Sequence, residues 1–206
     1  MPEFVSFGKI ARLNRDIVIT EKIDGTNAAI GIKLHPPEVD GGTGFYEVWA
    51  QSRTRIIVPG DDNFGFAAWV KKHEDRLINT LGEGLHFGEW WGVGIQREYG
   101  LTERRFSLFN TKRWFQDVDG AAALTDAQLN GCAIYCVPVL YEGPWMGGPE
   151  DSFMPLDIMG GLRRDGSRAV PGYNKPEGIM VYHKAGNVMF KATCEKDEAH
   201  KSQEAP

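Results

Sequence analysis

The chain has 206 residues, 42% of them hydrophobic and 25% charged, enough for one sizeable core and short for two domains. A formal net charge of -5 argues against a protein that coats nucleic acid by bulk electrostatics, so a polynucleotide contact has to use a local basic patch. No apolar stretch is long enough to span a bilayer and no signal-peptide pattern is present, which reads as a soluble, intracellular (cytoplasmic) protein with no membrane partner.

An apolar lead-in with Phe4, Val5 and Phe7 precedes a strand predicted over Asp16 to Thr20. The stretch Glu21-Lys22-Ile23-Asp24-Gly25-Thr26-Asn27 follows, then an alternating segment from Ala28 to Leu34, so the stretch links or ends two strands. A lysine held by rigid strands beside backbone donors at a glycine turn can attack a phosphate. It must first be neutral, which desolvation or nearby positive charge favours. A surface lysine in a hairpin, with Asp-Gly as turn punctuation, fits the same residues.

Pro36-Pro37 and the Gly41-Gly42-Thr43-Gly44 cluster predict a hairpin loop, and Phe45 to Ala50 the returning strand. That strand delivers Gln51-Ser52-Arg53-Thr54-Arg55 toward the start of the outgoing strand, and therefore toward Lys22. Arg53 suits a phosphate through its planar fork, or a strand end in water. Asp61-Asp62-Asn63 reads as the N-terminus of one helix over Phe64 to Leu81, with Phe66, Trp69, Val70, Leu77, Ile78 and Leu81 as its stripe and Gly82 as its stop.

Leu85-His86-Phe87-Gly88-Glu89-Trp90-Trp91-Gly92 is an aromatic strand in which glycines flank an acid. Glycine there signals either close approach of a ligand or a bulge, and the carboxylate suits ribose hydroxyls or a metal. Gly94 to Gly100, with Gln96 and Arg97, reads as a loop whose polar groups face substrate or solvent. Phe106-Ser107-Leu108-Phe109-Asn110 alternates as a strand, with an aromatic that either stacks on a base or fills the core. A short helix is expected over Thr125 to Asn130, stopped by Gly131, and a buried strand over Ala133 to Leu140. Residues 141 to 172, rich in Gly, Pro and Asp, read as a long irregular loop.

Pro176-Glu177-Gly178 precedes an apolar strand, and Val188 to Lys191 ends a last one. Three cysteines, Cys132, Cys136 and Cys194, make an odd count without zinc-site partners. Cys132 and Cys136 lie in an apolar run and read as buried free thiols, implying a reducing interior. No internal repeat or domain linker stands out.

Strand-end sites thus carry Lys22, Glu89, Glu177 and Lys191. Attack by one lysine on the α-phosphate of a nucleoside triphosphate uses such a set. A second cation and a metal stabilise the charge developing at phosphorus, and pyrophosphate leaves.

These pieces resemble the ordered motifs of the covalent nucleotidyltransferases, the polynucleotide ligases and messenger RNA capping enzymes. Glu21 to Asn27 is similar to the nucleophile motif, Ser52-Arg53-Thr54 to the arginine element, and Phe87-Gly88-Glu89 to the third motif. Leu108-Phe109-Asn110 resembles the base-stacking strand, Glu177-Gly178-Ile179 the fourth motif, and Val188 to Lys191 the fifth. The match spans about residues 17 to 193 and looks closest to nick-sealing, ATP-dependent RNA ligases.

The resemblance implies an α+β adenylyltransferase domain of two antiparallel β-sheets with flanking helices and a nucleotide-binding groove. It implies that Lys22 carries AMP, Arg53 contacts phosphate or the RNA end, and Glu89 contacts the ribose. Phe109 would stack on adenine, Glu177 would serve Mg2+ or Mn2+ in the chemistry, and Lys191 would meet the α-phosphate. Glu21, Ile23 and Asn27 would line the nucleotide site, and Asp24 matches an acid common to the wider superfamily. ATP and RNA ends (nicked duplex or tRNA) are the implied substrates, with DNA not excluded. The setting implied is RNA repair or a phage.

Two features depart from the pattern. The fifth motif usually reads Lys-x-Lys and here reads Lys191-Ala192-Thr193; a shifted register would instead put Met189 at the first lysine. Ligases of this branch also usually carry a C-terminal domain. Here residues 1–195 are expected to form the adenylyltransferase domain and 196–206 a polar tail, with no separate C-terminal ligase domain and a partner supplying the end-binding surface. The alternatives are a GTP-using capping-type enzyme, against which Asn27 counts, and a catalytically weak module that binds nucleic-acid ends.

Overall fold

The computed structural model describes residues 2–37, 42–62, 64–115, 118–145 and 154–195. The expected hairpin loop falls partly outside these residues, as do Asn63 and the tail from 196. The fold is α+β, and the chain divides into two compact units. One comprises the residues up to Lys22 and those from Pro138 onward, and the other runs from Ile23 to Val137.

The first unit is built on a four-stranded antiparallel sheet. Its strands are β1 (Asp16–Lys22), β8 (Val139–Pro144), β9 (Gly178–His183) and β10 (Val188–Thr193), in the order β10-β9-β1-β8. β1 is central, so Ile17 and Ile19 are fully buried beside Ile179 and Val181. Burying each such isoleucine is worth roughly 1.5–3 kcal/mol. Helix α5 (Met154–Asp165) completes this core with Met159 and Leu162, and Met154 and Ile158 pack against it.

The second unit holds a six-stranded sheet in the order β4-β3-β2-β5-β6-β7. Its strands are β2 (Thr26–His35), β3 (Phe45–Ser52), β4 (Ile56–Ile57), β5 (Gly84–Gly92), β6 (Arg104–Leu108) and β7 (Ile134–Cys136). Ala28, Ile30, Ile32, Trp90, Phe106 and Leu108 belong to one core with Phe66, Val70, Leu77 and Leu81 of the helices. Strand alternation sends Asn27 and Glu89 to the other face.

Several expectations need correction. β6 and β7 run parallel, so the second sheet is mixed and not wholly antiparallel. The parallel pair requires a crossover, supplied by α3 (Thr111–Trp114) and α4 (Val118–Leu129). The single helix expected over 64–81 is two, α1 (Phe66–Lys72) and α2 (Glu74–Leu81). His73 leaves the helical region (φ -110°, ψ 17°), and its N–H is shared between Trp69 O and Val70 O. Glu74 and Asp75 then begin a new first turn, where acids are favoured. The expected cap survives in part, because Asp62 Oδ2 accepts from Ala67 N–H.

The strand expected over Ala133 to Leu140 is also two, β7 and β8, in different sheets. Pro138 between them lacks an N–H, so one ladder cannot continue through it. The long loop expected over 141–172 gives way to β8 and α5. Gly160-Gly161 hides the helical signal, while packing of Met154, Ile158, Met159 and Leu162 at helical spacing overrides it. α4 is longer than the expected short helix but ends as expected, at Gly131 with φ 79°. Among the described residues no helix is long and apolar enough to cross a membrane.

Candidate functional site

Lys22 is the last residue of β1, and its register partners are in β9, not β2. Thr26 opens β2 in the other sheet. The Lys22 stretch is therefore not a hairpin turn. Gly25 is needed there for space: a Cβ would stand 2.5 Å from Trp90 O and 2.7 Å from Trp91 Cβ.

In the first unit, Lys22 pairs with Gly178, which pairs in turn with Thr193. The residue before Gly178, Glu177, turns back so that its Oε2 lies 2.6 Å from Lys22 Nζ. Both side chains are largely shielded, at 21% and 14% exposure. Oε2 is buried, and its approach to Nζ is an ion pair without hydrogen-bond alignment. Gly178 allows this rung to close, since a Cβ would lie 2.1 Å from Ala192 O. Lys191 pairs with Met180, which pairs with Thr20. Direct cross-strand partners share a face, and residues two apart along a strand share it too. Lys191 therefore lies on the face of Lys22, exposed at the sheet edge.

Glu21 takes the opposite face and is 1% exposed. Its carboxylate accepts from Ser167 Oγ (2.6 Å), Arg168 N–H (2.7 Å) and Ala169 N–H (2.9 Å). Burial raises its pKa above the usual carboxylate range, and those hydrogen bonds and the Arg168 charge only partly offset the effect.

In the second unit, Asn27 and Glu89 are direct cross-strand partners, and Glu89 also faces Ser107. Gly88 keeps these strands close, because a Cβ there would meet Ser107 O at 2.5 Å. Phe109 lies just beyond β6, half-buried, and its N–H donates to Phe87 O. The fully buried aromatic of that strand is Phe106. Ile23 is buried. Arg53 is exposed in a turn held by Ser52 Oγ, which accepts from the N–H groups of Thr54 and Arg55. The expected return of this segment to the start of β2 holds, with Ser52 opposite Ala28.

Two arrangements lay outside sequence reasoning. Arg97 Nε–H donates to Asp24 Oδ2 at 2.9 Å, and Asp24 N–H donates to the hydroxyl of buried Tyr99. The loop carrying them has positive φ at Gln96, Glu98 and Tyr99. Non-glycine residues rarely adopt this conformation, and no residue pattern announces it. The second is the Ser167–Ala169 clamp on Glu21, whose partners have no motif of their own.

Residues 15–193 match a family model described as RNA ligase. Comparison with curated proteins gives no match. Among solved structures, an apo alanine variant of Naegleria gruberi RNA ligase is 18% identical, with a TM-score of 0.54 over 94% of this chain and 57% of that one. Two further variants of the same ligase, solved with ATP and Mn, give TM-scores of 0.54 and 0.56 at 17% and 16% identity. They cover 87% and 89% of this chain and 49% and 51% of theirs. The chain thus spans about half the length of these structures, and at such identity the likeness concerns the fold.

Proposed function

Because the chain belongs to the RNA ligase family, we propose that it is an ATP-dependent RNA ligase working through a covalent AMP on Lys22. The observation that carries this reading is the shielded Lys22–Glu177 contact of 2.6 Å at the end of β1. An ammonium held there must lose a proton before it attacks, and Glu177 is within reach to accept or relay it. Neutral Nζ then forms a P–N bond to the α-phosphorus of ATP, the α–β phosphoanhydride P–O bond breaks, and pyrophosphate departs. AMP next passes to a 5'-phosphate end, and a 3'-hydroxyl displaces it to seal the strand.

The remaining roles follow the motifs. Glu89 serves the ribose, Asn27 and Ile23 the nucleotide, Phe109 the adenine face, Arg53 a phosphate, and Lys191 the α-phosphate. A divalent cation, Mg2+ or Mn2+, would supply positive charge at the triphosphate, with Glu177 as its protein contact. The buried Glu177 Oε2 offers one carboxylate oxygen for it. Among the described residues no group of three or more His, Cys, Asp or Glu forms a protein cage. A hard cation carried by phosphates needs only one or two carboxylates. Residues up to 195 would form the adenylyltransferase domain, with RNA ends as substrate.

The test is the intact mass of the full chain, stripped with pyrophosphate and then given ATP and magnesium. A gain of one AMP that is absent from Lys22→Ala supports the reading. No adduct with ATP would overturn it, and an adduct with GTP alone would assign a capping-type enzyme. Nicked RNA and DNA duplexes offered to the adenylylated chain separate the polynucleotide substrates. The departure at Thr193 favours a second reading, a module that binds ends without chemistry. That module would bind nicked duplex yet gain no mass.

A further inference from the structure

Glu21 and Lys22 are adjacent, so strand geometry sends their side chains to opposite faces of β1. A carboxylate as buried as Glu21 is expensive unless its lone pairs are used. Here they are used by one short segment, through Ser167, Arg168 and Ala169. That segment is folded on itself. Ser167 Oγ also accepts from Val170 N–H, Ser167 N–H donates to Tyr173 O, and Tyr173 N–H donates to Val170 O. Gly166 (φ 84°) permits the close packing, since a Cβ there would lie 2.8 Å from Tyr173 O. Four residues after Tyr173 the same segment reaches Glu177, the partner of Lys22. Glu177 O accepts from Cys194 N–H, which ties this end to the terminus of β10.

One segment is thus held at both ends by neighbouring residues of β1: its start by Glu21 on the buried face, its end by Lys22 on the other. We propose that Glu21 is a positioning residue, whose clamp on Ser167–Ala169 sets where Glu177 meets Lys22, and that its carboxylate is not a nucleotide ligand. The proposal rests on the reading of Lys22 as the adenylylated residue. With the clamp broken, the segment keeps only its Lys22 end on β1 and Glu177 no longer has a single place beside Nζ. The nucleotide contacts would remain.

The test compares the full parent chain with Glu21→Gln and Ser167→Ala. Glutamine keeps the size of the side chain but turns an NH2 group toward donors, and Ser167→Ala removes one donor as a milder change. Two quantities are measured: amide hydrogen exchange at Arg168 and Ala169, and the rate of AMP-adduct formation across ATP concentrations. The expected result is faster exchange at both amides. The adduct rate at saturating ATP should fall tenfold or more in Glu21→Gln and less in Ser167→Ala, while the half-saturating ATP concentration stays within twofold of the parent. Faster exchange with an unchanged adduct rate would overturn the positioning role. A raised half-saturating concentration with the saturating rate intact would make Glu21 a nucleotide ligand instead. If Glu21→Gln fails to fold, Ser167→Ala decides by the same criteria. A parent chain that forms no adduct overturns the Lys22 reading and this proposal together, whereas a parent that reacts and variants that match it overturn this proposal alone.

Discussion

Lys22 and Thr193 occupy one rung of the four-stranded sheet, with Gly178 between them. Two strand spacings put their backbones about 10 Å apart, on a shared face and with no side chain intervening. In the register that sets Lys191-Ala192-Thr193 against Lys-x-Lys, the second lysine would stand at this place. The Thr193 hydroxyl donates to Glu195 O.

Thr193→Lys should therefore quicken formation of the AMP adduct. A cation giving about 1 kcal/mol to the charge developing at phosphorus would raise the rate about fivefold, and the gain should shrink in high salt. Initial rates of adduct formation on the two chains measure this directly. Equal rates would mean that this rung has no part in stabilising the phosphate.

Gly25→Ala should destabilise the fold, because its methyl group would press on Trp90 O and the Trp91 side chain. Overpacking of this kind costs about 1–3 kcal/mol, equivalent to a fall in Tm of about 2–12 °C for a chain of this size. Gly8→Ala, with nothing within 4 Å of the new carbon, should leave the melting curve in place.

The raised pKa of Glu21 makes stability depend on pH. Between the ordinary carboxylate value and the raised one, the folded chain holds a proton that the unfolded chain has lost. Stability from this group is therefore fully present on the acid side and falls as pH rises through that window. Denaturant titrations of the parent and Glu21→Gln should show a parent-minus-variant difference that declines with rising pH and then levels off. A difference that grows with pH would mean that the hydrogen bonds of the clamp outweigh burial.

Cys132 and Cys136 should resist alkylation in the folded protein. Burial pushes the Cys132 thiol up to about 11 and the Cys136 thiol up to about 12. At pH 8 the reactive thiolate is then about one part in a thousand or less. Intact mass after iodoacetamide should leave both cysteines unmodified under native conditions, with all three labelled in denaturant. Cys132 is buried as expected and Cys136 only half-buried, and rapid native labelling at either would contradict these raised values.

What the sequence by itself determined was local. The apolar run at Ile17 to Ile19 and the alternation at Ala28 to Leu34 and Phe45 to Ala50 marked strands that the structure contains, because both patterns are imposed within a few residues. The order of short motifs pointed to the family that residues 15–193 match. The breaks were less legible. His73 divides a helix whose stripe runs through it, and Gly160-Gly161 disguised a helix that packing secures. Only the tertiary structure decided which residues meet. Gly178 brings Thr193 onto the rung of Lys22, Asn27 faces Glu89 across two strands, and Arg97 takes Asp24. Ser167 closes on Glu21 from 146 residues away. The physical reason is alignment: a pair is chosen by how strands and loops meet across the fold, and a one-residue slip of a strand would turn Thr193, Asn27 or Glu89 to the other face.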